Sequence, residues 1–585
     1  MNNRLSILKS LTVALCLIAN AVTWAQPSAE EIWFGTLDVR VARLRLEFRI
    51  VADETGKLSG KMISLDQGST EIVATTIERR DGQLIMKFPS VAGEFVGTFN
   101  DAGDVARGTW KQVGNEYPLE IRRTDRVPQR QHIESWQGVL KAAGQEFEFQ
   151  IRIFLDDQQT RSAVLDSFSE LFEGLSLDLT ESKDSIEFVV LVSNAKFVGQ
   201  RSADGEQLVG HWLQRGGRFP LTFSKVTLEQ TRSLSLKRPQ TPQPPFDYSI
   251  VELTIPIAGG QYELSGTLTH PHGNGPFPVA VLISGSGPQD RDETIFDHKP
   301  FWVIADHLTT SGFAVFRYDE RGVGKSTGVF AEATTRDFAN DIVDIVRYLS
   351  GQQVIDAGRI VLIGHSEGAI IAPMVAAENT NIAGIVMMAG PGVPGRQIVL
   401  NQTRLIGKAA GMNDAALDAQ QQMLVRLLSP DINTEDALKN AFLDGIKQLQ
   451  GTLPDEMQQT QESFETLIGE LLPSVTKQFQ SKWFQYFLDY DPAPALAKIK
   501  VPVLVMIGDK DLQVDPDLNL PVIETQLKKA GNRDVVIKRF DNLNHLFQTC
   551  TSGEPREYAV IEETFAPIAL ESLSQWLVVR FIPHR

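Results

Sequence analysis

The stretch Val361-Leu362-Ile363-Gly364-His365-Ser366-Glu367-Gly368-Ala369-Ile370-Ile371-Ala372 constrains this chain more than any other. An apolar run meets a Gly-x-Ser-x-Gly turn and continues at helical spacing, so the backbone has to pass from strand to helix within about two residues. That geometry leaves Ser366 at the tip in a strained conformation. Gly364 and Gly368 are small because their backbones pass close to the flanking strand and helix. A serine so placed offers its hydroxyl to a base, and the N–H of Glu367, at the helix start, faces any oxyanion that forms there. Gly324-Lys325-Ser326-Thr327-Gly328 matches the same pattern. It follows its strand only after a long Gly-rich turn and precedes no immediate apolar helix, so Ser326 is set aside.

A serine hydroxyl is a weak nucleophile until a base takes its proton, and the base needs an acid to hold its tautomer. After such an elbow the expected order is serine, acid, histidine. The apolar run 501–507 ends in Gly508-Asp509-Lys510-Asp511-Leu512-Gln513-Val514, and Asp511 lies where a carboxylate reaches across the top of a sheet. Asp509 is the second choice, while Asp515 and Asp517 read as helix-start residues. Of nine histidines, His545 follows the last strand pattern, so its loop opens on the same edge as Ser366. His365 packs inside the elbow, His584 is next to the chain end, and His132 and His211 belong to β patterns far upstream.

The first 25 residues read as an export leader. Arg4 and Lys9 form its basic end, residues 11–22 its apolar core, and Thr23-Trp24-Ala25 its cleavage site. The core is too short to span a bilayer, and no later run is long enough. Leu15 stands where a lipoprotein leader needs a small residue before Cys16, so no lipid anchor is read. The mature protein is expected to be soluble and exported, either periplasmic or secreted. Losing Cys16 leaves only Cys550, which excludes an intramolecular disulfide. The formal charge is −17, or −19 without Arg4 and Lys9, which argues against nucleic acid or anionic lipid as a partner.

From residue 31 to about 225 the sequence repeats at an offset of 102 to 103 residues. Trp33-Phe34-Gly35 answers Trp136-Gln137-Gly138, and Gly108-Thr109-Trp110 answers Gly210-His211-Trp212. Leu44, Leu46, Phe48 and Ile50 alternate in the first copy, as Phe147, Phe149, Ile151 and Ile153 do in the second. Each copy, 26–126 and 127–232, is therefore an antiparallel β unit, sandwich or barrel. The recurrent Trp residues are read as core packing rather than a sugar- or lipid-binding surface. A Pro-rich linker, 233–245, reads as extended and semi-rigid. Beyond it, apolar runs at 279–283, 382–388, 501–507 and 535–540 alternate with helical patterns, which gives a doubly wound, mostly parallel α/β sheet over 246–585. Residues 391–500 are helical in pattern and interrupt the sheet at its ligand-binding end, so they read as a helical cap.

A second oxyanion donor is expected in Ser284-Gly285-Ser286-Gly287-Pro288, directly after a strand, with the backbone N–H of Ser286 the candidate beside that of Glu367. No helix begins there, which weighs against a phosphate cradle. Gly322-Val323-Gly324-Lys325-Ser326 imitates the end of a P-loop but has Asp319 where the upstream glycine belongs, so no nucleotide site is read.

With these motifs, residues 246–585 resemble the α/β-hydrolase superfamily and, more narrowly, the EstD-type bacterial carboxylesterases. The resemblance rests on Ser284 to Asp292 (Ser-Gly-Ser-Gly-Pro-Gln-Asp-Arg-Asp), on Arg317-Tyr318-Asp319-Glu320-Arg321-Gly322, on the elbow, and on Trp483-Phe484-Gln485-Tyr486-Phe487. It implies nucleophile Ser366, acid Asp511, base His545 and hydrolysis of carboxylic esters with small acyl groups favoured; no metal or organic cofactor is expected. A serine peptidase, or a thioesterase or acyltransferase, would suit the same fold. From another class, the tandem β region would itself bind an envelope glycan or lipid.

Overall fold

The computed structural model describes residues 30–582 except 40–42, 54, 66–70, 89–90, 92, 113–114, 143–144, 158, 170–171, 183–184, 191–194, 215–216, 233–236, 380, 430, 433, 453–471 and 473–474. The leader expected over 1–25 lies outside the described residues. The N-terminal region is all-β and the C-terminal region is an α/β domain with a helical cap, the architecture expected from the alternation of apolar residues.

In the second β copy, eight strands from Arg130–Ala142 to Gly217–Val226 close into a barrel in sequence order. The first and last strands pair antiparallel, Ser135 opposite Val226 and Gly138 opposite Phe223. The first copy forms a nine-stranded sheet whose two edge strands are Glu71–Val73 and Thr76–Arg80. Only Ala74 and Thr75 separate those edges. Their N–H groups donate in different directions, Ala74 to Gly60 O (2.9 Å) and Thr75 to Lys87 O (3.0 Å). The edges therefore meet at one bent segment, where the second copy has the unbroken strand Phe172–Glu181. Equivalent residues stand opposite each other in both copies: Phe95 is registered with Trp110, and Phe197 with Trp212. Trp33, Trp110, Trp136 and Trp212 are 0–3 % exposed, so they are core residues and none forms a surface platform.

The α/β domain holds an eight-stranded sheet in the order Ser249–Ile257, Tyr262–His270, Ala314–Tyr318, Phe277–Ile283, Ile355–His365, Ile382–Met388, Val503–Gly508, Val535–Phe540. The first two strands and the pair Tyr262–His270 with Ala314–Tyr318 run antiparallel, and the remaining neighbours are parallel. The elbow strand shows why the parallel strands read as continuous apolar runs. Ile360 and Leu362 pack with helices Thr335–Ser350 and Gly368–Glu378 on one face, while Val361 and Ile363 pack with Pro300–Thr310 and Pro567–Phe581 on the other. All four side chains are fully buried, each stabilising the domain by roughly 1.5–3 kcal/mol relative to exposure.

After Phe277–Ile283 the chain crosses outward to Ala314–Tyr318 and then returns past its own start to Ile355–His365. The strand ends at Ile283 and Gly364 are thus neighbours at the point where the winding reverses. The glycine loop leaves from one and the elbow from the other. Helices Gly395–Ala409, Asp414–Leu427, Glu435–Gln450 and Lys482–Asp489 form the cap between the sixth and seventh strands of the sheet. Among the described residues no helix is long and apolar enough to cross a membrane.

At Arg238 the linker departs from an extended spacer. Arg238 donates to the carbonyls of Phe296 (2.7 Å), Ala559 (2.7 Å) and Ile561 (3.1 Å), so this stretch is docked on the α/β domain. The prolines foretell an extended backbone but not what the residues between them grip.

Candidate active site

Ser366 has φ +53°, in the left-handed region that a side-chain-bearing residue enters only under constraint. Its N–H donates to Met388 O (2.9 Å) on the next strand, and its own carbonyl accepts from Ala369 N–H (3.0 Å). Two close approaches fix the turn. A Cβ at Gly364 would lie 2.0 Å from Gly368 O, and one at Gly368 would lie 2.1 Å from Ile283 O. Gly364→Ala is accordingly expected to destabilise the α/β domain by about 3 kcal/mol or more, since backbone rather than a flexible side chain has to yield. Thermal unfolding of the variant beside the parent checks this, and an unchanged Tm would refute it.

Asp511 and His545 come together in the structure although 34 positions apart. Asp511 Oδ2 is 2.8 Å from His545 Nδ1, and both groups are buried. The other carboxylate oxygen, Oδ1, accepts from the backbone N–H of Gln513 (2.9 Å) and Val514 (2.8 Å) in the turn after the seventh strand. The turn therefore fixes the carboxylate and leaves Oδ2 for the imidazole. With Nδ1–H engaged by Asp511, His545 Nε2 is the ring nitrogen left for chemistry. Asp509 faces elsewhere, accepting from Asn542 N–H (2.6 Å), and Asp515 caps helix Pro516–Lys529.

Ser366 and His545 line one cavity of about 260 Å³. Body residues Leu546 and Val514 and cap residues Ile398, Val399, Phe484 and Phe487 give it apolar walls. No lysine or arginine is among its described lining residues. Ser366 Oγ has no hydrogen-bond partner among the described residues.

The glycine loop comes to the serine from the neighbouring strand end. A Cβ on Gly285 would be 3.2 Å from Ser366 Cβ, so the glycine gives the loop a close approach that a larger residue would crowd by a few tenths of an ångström. Gly285 N–H is used within the protein, donating to Glu293 Oε1 (2.7 Å). The N–H groups of Ser286 and Glu367, by contrast, are engaged by no described residue, and both residues line the cavity.

Three buried acids surround this loop, and sequence reasoning assigned none of their side chains. Glu293 also contacts His365 Nδ1 (2.9 Å), whose Nε2 lies 3.0 Å from the carbonyl of His545. Burial opposes charge on His365, but Glu293 and that carbonyl leave its pKa above the ordinary value. Glu320 accepts from Ser284 Oγ (3.0 Å) and Gln289 N–H (3.0 Å), and burial pushes its carboxyl well above the usual range. Glu367 is raised by burial too, against bonds from Thr335 Oγ1 (2.6 Å) and the Trp483 indole N–H (2.9 Å). The available signal was the acidic content of two motifs, residues 290–293 and 319–320. Ser326, set aside on sequence, is a turn lock: its hydroxyl donates to Asp319 O (2.6 Å) and accepts from Ser265 N–H (2.8 Å).

His132 and His211 sit on barrel strands, and His584 lies outside the described residues. Among the described residues no group of three His, Cys, Asp or Glu side chains is arranged to hold a metal ion.

A family model described as serine aminopeptidase, S33, matches residues 301–549. Esterase EstD of Thermotoga maritima is 28% identical over 320 residues, 54% of this chain. The chain spans 65% of the length of that esterase. An uncharacterized 31.7 kDa protein in the traX-finO intergenic region of Escherichia coli is 25% identical over 214 residues, covering 37% of this chain and 68% of that protein. Among solved structures, the Pyrococcus furiosus esterase Pf2001 is 17% identical with a TM-score of 0.35, covering 58% of this chain and 92% of that one.

Proposed function

We propose that the C-terminal part of this chain is an EstD-type α/β-hydrolase and that the protein is an exported serine hydrolase that cleaves carboxylic esters through an acyl-enzyme on Ser366. The observation that carries the reading is the Asp511–His545 pair, held at 2.8 Å, with His545 lining the same cavity as Ser366. In the proposed reaction His545 Nε2 takes the proton of Ser366 Oγ as that oxygen attacks the ester carbonyl. The N–H groups of Ser286 and Glu367 stabilise the oxyanion, and Asp511 steadies the imidazolium. The imidazolium then protonates the departing alkoxide, and water, deprotonated by the same nitrogen, releases the acid. A cavity of about 260 Å³ favours short acyl groups. The leader-like first 25 residues support export.

An aminopeptidase would need an uncommitted carboxylate to receive an amino terminus. The two acids lining the cavity are both committed, Glu293 to Gly285 and His365, and Glu367 to Thr335 and Trp483. That favours esters. The deciding experiment offers p-nitrophenyl acetate, butyrate and laurate beside aminoacyl p-nitroanilides, with mass spectrometry of the peptide bearing Ser366 after rapid quenching. Turnover of the short esters with an acyl adduct on that peptide is expected. Cleavage of the anilides alone would replace the ester reading with a peptidase one.

A further inference from the structure

We propose that segment 237–240, in the middle of the Pro-rich linker, is a positioning strut for the loop that carries His545, with Gln240 its principal positioning residue. The proposal rests on reading His545 as the general base.

Gln240 closes three hydrogen bonds on two successive residues more than 320 positions away. Its Oε1 accepts from the N–H of Thr564 (2.5 Å) and Phe565 (3.0 Å), and its Nε2 donates to Phe565 O (2.8 Å). Two paths then lead to the histidine loop. Along the polar path, Thr564 Oγ1 lies 2.8 Å from His298 Nδ1, and His298 Nε2 lies 2.9 Å from Gln548 Nε2 and 3.0 Å from the carbonyl of Tyr558. Gln548 Oε1 accepts from Asn544 Nδ2 (3.0 Å), and Asn544 Oδ1 accepts from the N–H groups of Leu546 and Gln548, both at 3.0 Å. His545 lies between Asn544 and Leu546. Along the apolar path, Phe565 stacks on Phe547 with centroids 5.2 Å apart, and Ala566 N–H donates to Phe547 O (2.8 Å).

Every side chain on the polar path past Gln240 is almost completely buried, so a lost partner is not replaced by water. Burial and the neighbouring Arg238 charge hold the His298 pKa down at about 4, so it remains a neutral link near pH 7. Arg238 gathers both segments that feed the path, binding Phe296 O just before His298, and Ala559 O and Ile561 O just before Thr564. The loop needs such support. Phe547 is held at φ +60°, a conformation a bulky residue keeps only where its surroundings over-determine it.

The test uses the full chain with Gln240→Met, which keeps the volume and removes all three bonds, and with Arg238→Ala in case the first variant does not fold. Hydrogen exchange is followed over 541–549 and over the elbow, 360–372, beside kcat and KM for p-nitrophenyl butyrate. Faster exchange confined to 541–549 is expected, with kcat lowered about 10- to 100-fold and KM changed less than about threefold. Unchanged exchange and kcat would overturn the strut, and so would equal loosening of the elbow, which means general destabilisation. Exchange does not depend on turnover. A parent without ester activity but with 541–549 loosened in the variant would remove the ester reading and leave the strut standing.

Discussion

Ser366→Ala is expected to lower kcat/KM for p-nitrophenyl butyrate by about 10⁴-fold or more while the fold persists. The chemistry loses its nucleophile, and what remains is the help that the cavity and the oxyanion donors give to water. The fold loses little, because Ser366 Oγ makes no hydrogen bond among the described residues and alanine keeps the Cβ around which the turn is built. Ser366→Gly sharpens the separation. At φ +53° a residue with a Cβ is strained by about 1 kcal/mol, and glycine is not. The glycine variant is expected to be as inactive as the alanine variant and to unfold at a higher temperature than the parent. A variant of either kind that retains activity within tenfold would remove Ser366 from the mechanism, and a glycine variant less stable than the parent would remove the argument about strain.

Asp511→Asn should come second in size, with a loss of about 10⁴-fold in kcat at neutral pH. The severity follows from the turn rather than from charge alone. Gln513 and Val514 both point N–H groups at Oδ1, so an asparagine there has to place its carbonyl oxygen on that side. Its NH₂ then faces His545 Nδ1, which has to accept, and the ring proton moves to Nε2 where the serine proton should go. Asp511→Ala imposes no tautomer and leaves Nδ1 free. The expected order of activity is therefore parent, then alanine, then asparagine or equal to it. An asparagine variant clearly more active than the alanine variant would mean that the amide sits the other way round and that the carboxylate acts mainly through its charge.

The sequence made the architecture legible where a single strand or turn carries the information. The run 360–372 announces strand, turn and helix because two glycines and a serine at fixed spacing suit few other conformations. Alternation in 44–50 and 147–153 marks strands with one buried face. What could not be read is what depends on a partner far along the chain. Glu293, Glu320 and the side chain of Glu367 look like solvated acids in a polar loop until Ile283 and Gly364 prove to be neighbours. Arg238 and Gln240 look like spacer residues among prolines until residues 559–565 are seen beneath them. The two β copies illustrate the same limit, since a repeat at constant offset gives an unbroken strand at 172–181 and two short strands at 71–73 and 76–80.

The sequential order of the second barrel has a bearing on how it forms in time. Seven of its eight ladders join strands consecutive in the chain, and only the pairing of 135–138 with 223–226 spans the whole copy. Hairpins between neighbours form on a scale of about 1–10 μs, and each additional one closes a short loop. The ring closure has no such shortcut, so it waits until the rest of the wall stands, and contact order is concentrated in that one event. Until then the first strand, Arg130–Ala142, and the last, Gly217–Val226, are open edges able to pair with a neighbouring molecule. The window for mispairing is therefore set by the arrival of one C-terminal strand.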